Sequence, residues 1–111
     1  MVKYHADQLD RTFAALSDAT RRVMLARLAE QPGLSVTALA RPFPLKLPTV
    51  MKHLDVLDHA GLIARRKSGR VVSVTLRPEP MAAALEWMRR YERFWSGSLD
   101  RLAALLEDTS E

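Results

Sequence analysis

The chain has 111 residues, 48% of them apolar and none of them cysteine, and carries a net charge of +4. That length suits one domain with a modest core, and the missing thiols exclude disulfides and thiolate metal sites. No apolar run approaches the roughly 20 residues needed to span a bilayer, and no signal-peptide pattern opens the chain, so a soluble, cytoplasmic protein with no membrane partner is expected.

Residues 1–6 are expected to form a loose arm. From Asp7, a cap residue, Leu9, Phe13 and Leu16 mark a short amphipathic helix. Ser17-Asp18 breaks it, and residues 20–30 resume with Val23, Met24, Leu25 and Leu28 facing inward until Pro32-Gly33 stops the second helix. Ser35 caps a third, brief helix over 36–40 that ends before Pro42. Phe43-Pro44-Leu45 makes a tight apolar turn.

The fourth helix is the most sharply written. Pro48 suits the first helical position, where a missing N–H costs nothing. Val50, Leu54, Leu57 and Ala60 then recur at steps of four, three and three, so they share one face. Thr49, Met51, Lys52, His53, Asp55 and Asp58 occupy the other. Gly61 offers a left-handed stop and Leu62 folds back on the last turn.

After Gly61 the period changes to two. Residues 62–67 and 71–76 are rich in β-branched positions and flank Ser68-Gly69-Arg70, the pattern of a hairpin with a positively charged tip. From Met81 to Leu106 there is no proline, and Gly97 is the only weak helix position, so one helix of about 39 Å is expected. It carries two apolar stripes: Leu85, Met88, Trp95, Leu99, Leu102 and Leu106, and beside them Trp87, Tyr91 and Phe94. Two stripes need two partners: the chain itself for one and a second copy for the other, which implies a homodimer with Leu9 and Phe13 of the first helix joining the seam. Which stripe faces the partner copy stays open.

Charge is unevenly placed. Between Arg41 and Arg77, eight basic residues face only Asp55 and Asp58, leaving +6 there and −2 elsewhere. A basic middle between mildly acidic ends points to a localised anion-binding surface.

Three segments together resemble the ArsR family of winged helix-turn-helix regulators: ALSDATRRVMLARL at 15–28, LPTVMKHLDVLDHAGLIARRKSGRVVSVTL at 47–76 and WMRRYERFW at 87–95. The K-H-L-x-V-L-x-x-A-G-L-I run with a basic wing behind it is the most specific. The resemblance implies a mainly α fold with a small β-hairpin wing (α+β), dimerising through the first and long last helices. On that pattern a single DNA-binding domain covers 1–111: two helices at 7–30, the helix-turn-helix at 35–60, the wing at 62–77 and the dimerisation helix at 80–106. It further implies a homodimeric repressor of its own operon on an inverted-repeat operator, in a family whose members often release DNA on binding a ligand or metal; a sensor of an unknown small-molecule effector and a repressor controlled only by its own abundance both stay open. Two positions depart from the family pattern. Lys46 stands where a capping serine is common and reaches instead for a phosphate, and Met51 replaces a small polar residue, touching a thymine methyl or filling a gap. Family metal sites use cysteines in the third helix or histidines on the last, and neither is present here, so no metal or other cofactor is expected.

Affinity should then come from phosphate contacts by Lys46, Lys52, Arg65, Arg66, Lys67 and Arg70, and base reading from Thr49, Met51, Lys52 and His53, with Pro48 at the start of the helix they share. Arg70, at the wing tip, is placed for the adjacent minor groove. His53 is equally suited to a structural hydrogen bond. Arg21 and Arg22 open the second helix, a poor place for cations, and pairing with Asp18 or another carboxylate is favoured over contact with a phosphate. Trp87, Tyr91 and Trp95 are read as dimer packing before an effector pocket. Two other function classes compete: a protein–protein module whose basic wing meets an acidic partner, and an enzyme. No nucleophile–base pair, phosphate-cradling glycine loop or metal constellation supports the latter, so a non-enzyme is expected.

Overall fold

A computed structural model describes residues 2–109, and Met1 of the expected arm lies outside them. In chain order the elements are α1 Val2–Leu16, α2 Ala19–Glu30, β1 Leu34–Ser35, α3 Val36–Ala40, α4 Leu47–His59, β2 Ile63–Ser68, β3 Val71–Leu76, α5 Glu79–Arg89 and α6 Glu92–Thr109. Helix α1 starts well before Asp7, because no proline or glycine among residues 2–15 stops it; Asp7 is an exposed interior position rather than a cap.

The core gathers Ala15 from α1, Met24, Leu25 and Leu28 from α2, Leu39 from α3, Val50, Leu54 and Leu57 from α4, and Ile63 and Val74 from the sheet, all at most 5% exposed. Val23, expected inside, is 48% exposed, since the buried arc of α2 is taken by Met24, Leu25 and Leu28. Asp18 caps α2 by accepting from the Arg21 backbone N–H at 3.0 Å, and Ser35 caps α3 by accepting from Ala38 N–H at 3.1 Å.

Helix α4 ends in a Schellman motif: Gly61 N–H reaches Asp58 C=O at 2.9 Å, and Leu62 N–H reaches Leu57 C=O at 3.0 Å. Gly61 takes φ +74°, a left-handed value that a side chain would strain. The Ala60 carbonyl at this end accepts from Gln8 Nε2 of α1 at 3.0 Å. The first helix therefore holds the far end of α4.

The sheet has three strands rather than the expected two. Its order is β1-β3-β2, all antiparallel, with Leu34 opposite Val74 and Ser35 opposite Ser73. Two residues are too few to show a period, so β1 was invisible as a pattern. In the hairpin Ser68 faces Val71 across Gly69-Arg70; Gly69 alone has positive φ (62°), the arrangement of a type II′ turn.

The expected 26-residue terminal helix is broken. Arg90 N–H and Tyr91 N–H bond three residues back, to Trp87 and Met88 carbonyls at 3.3 and 3.1 Å, and the chain turns before α6. No proline or glycine lies at the break. Helix α5 lies along α1, with the Phe13 and Trp87 rings edge to face at 5.9 Å. Helix α6 leaves the body: none of residues 92–108 is buried, and the radius of gyration is 18.3 Å against about 13 Å for a compact chain of this length. Its own chain covers neither stripe of α6, contrary to the expectation for one of them.

Candidate nucleic-acid interface

Helices α3 and α4 form the helix-turn-helix, and β2–β3 project beside it as a wing. The burial of Val50, Leu54 and Leu57 fixes the rotation of α4, and Thr49 and Lys52, three residues apart, are left exposed on one face. Lys46 occupies the N-cap position without a side-chain cap bond, and both it and Pro48 in the first turn are exposed. The Thr49 and Val50 N–H groups both bond to the Lys46 carbonyl, at 3.0 and 3.1 Å, and Pro48 has none, so this turn offers the positive end of the helix dipole and not these donors.

Met51 is half-buried and packed against the core, which favours its gap-filling role over base contact. His53 is also drawn inward. Its Nδ1 lies 3.2 Å from Arg21 NH1 and 3.8 Å from Asp18 Oδ2, with 18% of the side chain exposed. The cap bond from the Arg21 backbone N–H holds the Asp18 carboxyl below the usual carboxylate range, helped by the charge of Arg21 and of His53.

Arg21 does not make the side-chain carboxylate pair expected of it. Its Nε and NH2 donate to the Ala15 and Ala14 carbonyls at 2.8 and 3.2 Å, and Arg22 NH1 donates to Leu16 C=O at 2.7 Å. Both guanidinium groups thus satisfy the open carbonyls at the C-terminus of α1, where cations are favoured. Sequence reasoning found the anomaly of two cations opening α2 but sought a carboxylate. The preceding helix end, two residues upstream, was the better signal.

On the wing, Arg66, Lys67 and Arg70 are exposed. Arg65 is placed differently from its neighbours. It shares the core-facing register with Ile63, opposite Val74, and its guanidinium is spent on α4: Nε and NH2 lie 2.9 and 2.8 Å from Asp58 Oδ2, and NH1 lies 2.9 Å from Asp55 Oδ1. Partial burial disfavours its charge, and the bonds to Asp55 and then Asp58 outweigh that, leaving the pKa raised.

The residues expected at a dimer seam are split. Leu9 on α1 is half-buried, whereas Phe13 on α1, Trp87 on α5 and Tyr91 in the turn after α5 are 38%, 36% and 46% exposed, with Trp87 and Tyr91 in edge contact at 5.5 Å. Phe94, Trp95, Leu99 and Leu102 of α6 are 52–64% exposed. A cavity of about 460 Å³ does not lie beside Trp87, Tyr91 and Trp95. It opens between α2 and the start of α5, walled by Leu16, Leu25, Leu76 and Met81 with Arg22 and Arg77 at its polar edge. Among the described residues, no three His, Cys, Asp or Glu side chains converge as a metal ion would require, and no helix is long and apolar enough to cross a membrane.

Comparison with known proteins agrees with this architecture. A family model described as a helix-turn-helix domain matches residues 16–66. The chain is 37% identical over 102 residues to the HTH-type transcriptional regulator Rv2034 of Mycobacterium tuberculosis, covering 92% of each. Among solved structures it is similar to an ArsR family transcriptional regulator at 37% identity and TM-score 0.76, covering 82% of this chain and 93% of that one. It also resembles the homodimeric winged helix-turn-helix DNA-binding domain of a possible ArsR-family regulator from Mycobacterium bovis, at 27% identity and TM-score 0.62, covering 80% and 83%.

Proposed function

The chain belongs to the ArsR family of winged helix-turn-helix transcriptional regulators, and from that premise we propose that it acts in the cytoplasm as a homodimeric repressor of an inverted-repeat operator. The observation that carries the reading is the pairing of an exposed Thr49–Lys52 face on α4 with the exposed cations Arg66, Lys67 and Arg70 on the wing. A helix seated this firmly presents Thr49 and Lys52 to base edges in the major groove while the wing tip reaches the flanking groove. Two copies joined through α1, α5 and α6 would offer two such helices to successive turns, about 34–36 Å apart.

Lys52→Ala and Arg70→Ala are each expected to weaken binding to a duplex selected from a random DNA pool, with fold and dimer intact. Each variant also lowers the log–log salt slope of wild-type binding by about one per subunit, since each removes one released counterion. Affinities and slopes equal to wild type for both variants would remove these residues from the interface. The absence of salt dependence in the wild type would remove the phosphate-neutralising mechanism altogether.

The cavity beside Leu25 and Met81 supports a second reading, in which an amphipathic carboxylate tunes the regulator. No carboxylate lines it, and the Arg77 guanidinium has no hydrogen-bond or ion-pair partner among the described residues. Its volume is within the roughly 300–1,000 Å³ of small-molecule sites. Dodecanoate is expected to raise the melting temperature of the wild type and not of Ala26→Trp, which fills the groove. Equal shifts in both proteins would exclude the site.

A further inference from the structure

We infer that Arg65 is a positioning residue that locks the wing to the recognition helix, and that it does not serve as a phosphate ligand. The inference rests on reading α4 and the wing as the DNA-contacting pair. Three guanidinium nitrogens are engaged, at 2.8–2.9 Å, by two carboxylates three residues apart on α4. That leaves little of the fork for DNA. The trio Arg65, Asp55 and Asp58 carries a net charge of −1, so this wing position adds no cation of its own to the surface.

The sheet explains why a lock is needed. Strand β2 is the outer strand, and its hydrogen-bonded neighbour is β3 alone. Strand β3 is itself tied to β1 through only two residue pairs. Beyond Val74 and Ile63 the hairpin has no buried residue: residues 66–71 are all exposed, and Arg65, Val72 and Ser73 are half-buried. A ribbon held so lightly would swing about its base, and every swing changes the offset between the α4 face and the tip at Arg70. The planar fork of Arg65, bridging two fixed points on one helix, removes that freedom before DNA arrives.

The test measures affinity and salt slope on the selected duplex for the full chain and three variants: Arg65→Met, the exposed double substitution Asp55→Asn/Asp58→Asn, and all three changes together. Far-UV circular dichroism confirms folding in each. A positioning role predicts that Arg65→Met and the double variant each weaken binding about tenfold or more, that the triple variant is no weaker than Arg65→Met, and that the salt slope is unchanged. Hydroxyl-radical footprints should lose protection at the wing site while keeping it at the α4 site. Arg65→Lys should fail to restore the footprint, because a point charge does not bridge two carboxylates.

A phosphate ligand behaves oppositely. Its loss lowers the salt slope by about one per subunit, and freeing it by the double substitution tightens binding. Either result, or effects that simply add, overturns the inference. Failure of the wild type to bind any selected duplex would instead strike the proposed function, so the two failures are distinct.

Discussion

Trp95→Asp is expected to convert the proposed homodimer into a monomer, and with it to abolish tight operator binding. Helix α6 holds Phe94 at 64%, Trp95 at 55%, Leu99 at 63% and Leu102 at 52% exposure, a clustered apolar surface of the kind that marks an interaction site. An aromatic side chain buries about 150–250 Å² in a seam, and the half of Trp95 still exposed is worth about 2–3 kcal/mol at 25 cal/mol per Å². A two-fold seam counts that contact twice, and a carboxylate placed there adds its own desolvation cost. Dimerisation should weaken by about a thousandfold or more. Sedimentation at micromolar concentration reads the change directly, and the monomer should retain wild-type helix content because α6 contributes nothing buried to its own chain. An unchanged dimer would place Trp95 outside the seam.

Leu54→Ala should have the largest effect on the fold itself. Leu54 is fully buried between α4 and the rest of the core, and truncating such a leucine costs about 2–5 kcal/mol. Against a total stability of about 5–15 kcal/mol this lowers the melting temperature by roughly 10–20 °C. The comparison is made at one protein concentration, since dimerisation shifts the apparent midpoint. Thr49→Ala, five residues earlier on the exposed face, should stay within about 0.5 kcal/mol of wild type in stability while losing operator affinity. A small loss for Leu54→Ala would mean that the α4 seat is not what holds the reading face in place. The two variants thus separate what seats α4 from what it presents.

The residues that were legible in advance share a trait: their partners are close in sequence. The buried row Val50, Leu54, Leu57 and Ala60, the Ser35 cap, the Gly61 stop with Leu62 folding back and the Gly69 turn all involve groups within about five residues. Local periodicity and dihedral preference suffice for those. Where partners are distant, expectation and structure part. Arg65 is expected from the sequence to touch phosphate, and the carboxylates it pairs with lie seven and ten residues away on another element. For Met51 the sequence leaves base contact and gap-filling both open, and the fold packs it against the core. For His53 it leaves base contact and a structural hydrogen bond both open, and Arg21, 32 residues earlier, engages it.

The amino-acid sequence by itself determined that α2, α3 and α4 are helical, where α4 stops, which way it rotates and that positive charge concentrates around it, because these follow from residue order, short-range sterics and a fixed 3.6-residue period. Only the tertiary structure decided that β1 joins the sheet, that the terminal helix breaks at Arg90-Tyr91 and sends α6 away from the body, and which cations remain unpaired. Those outcomes depend on what each side chain meets once the chain is folded, and a one-dimensional pattern carries no distances between residues that are far apart along it.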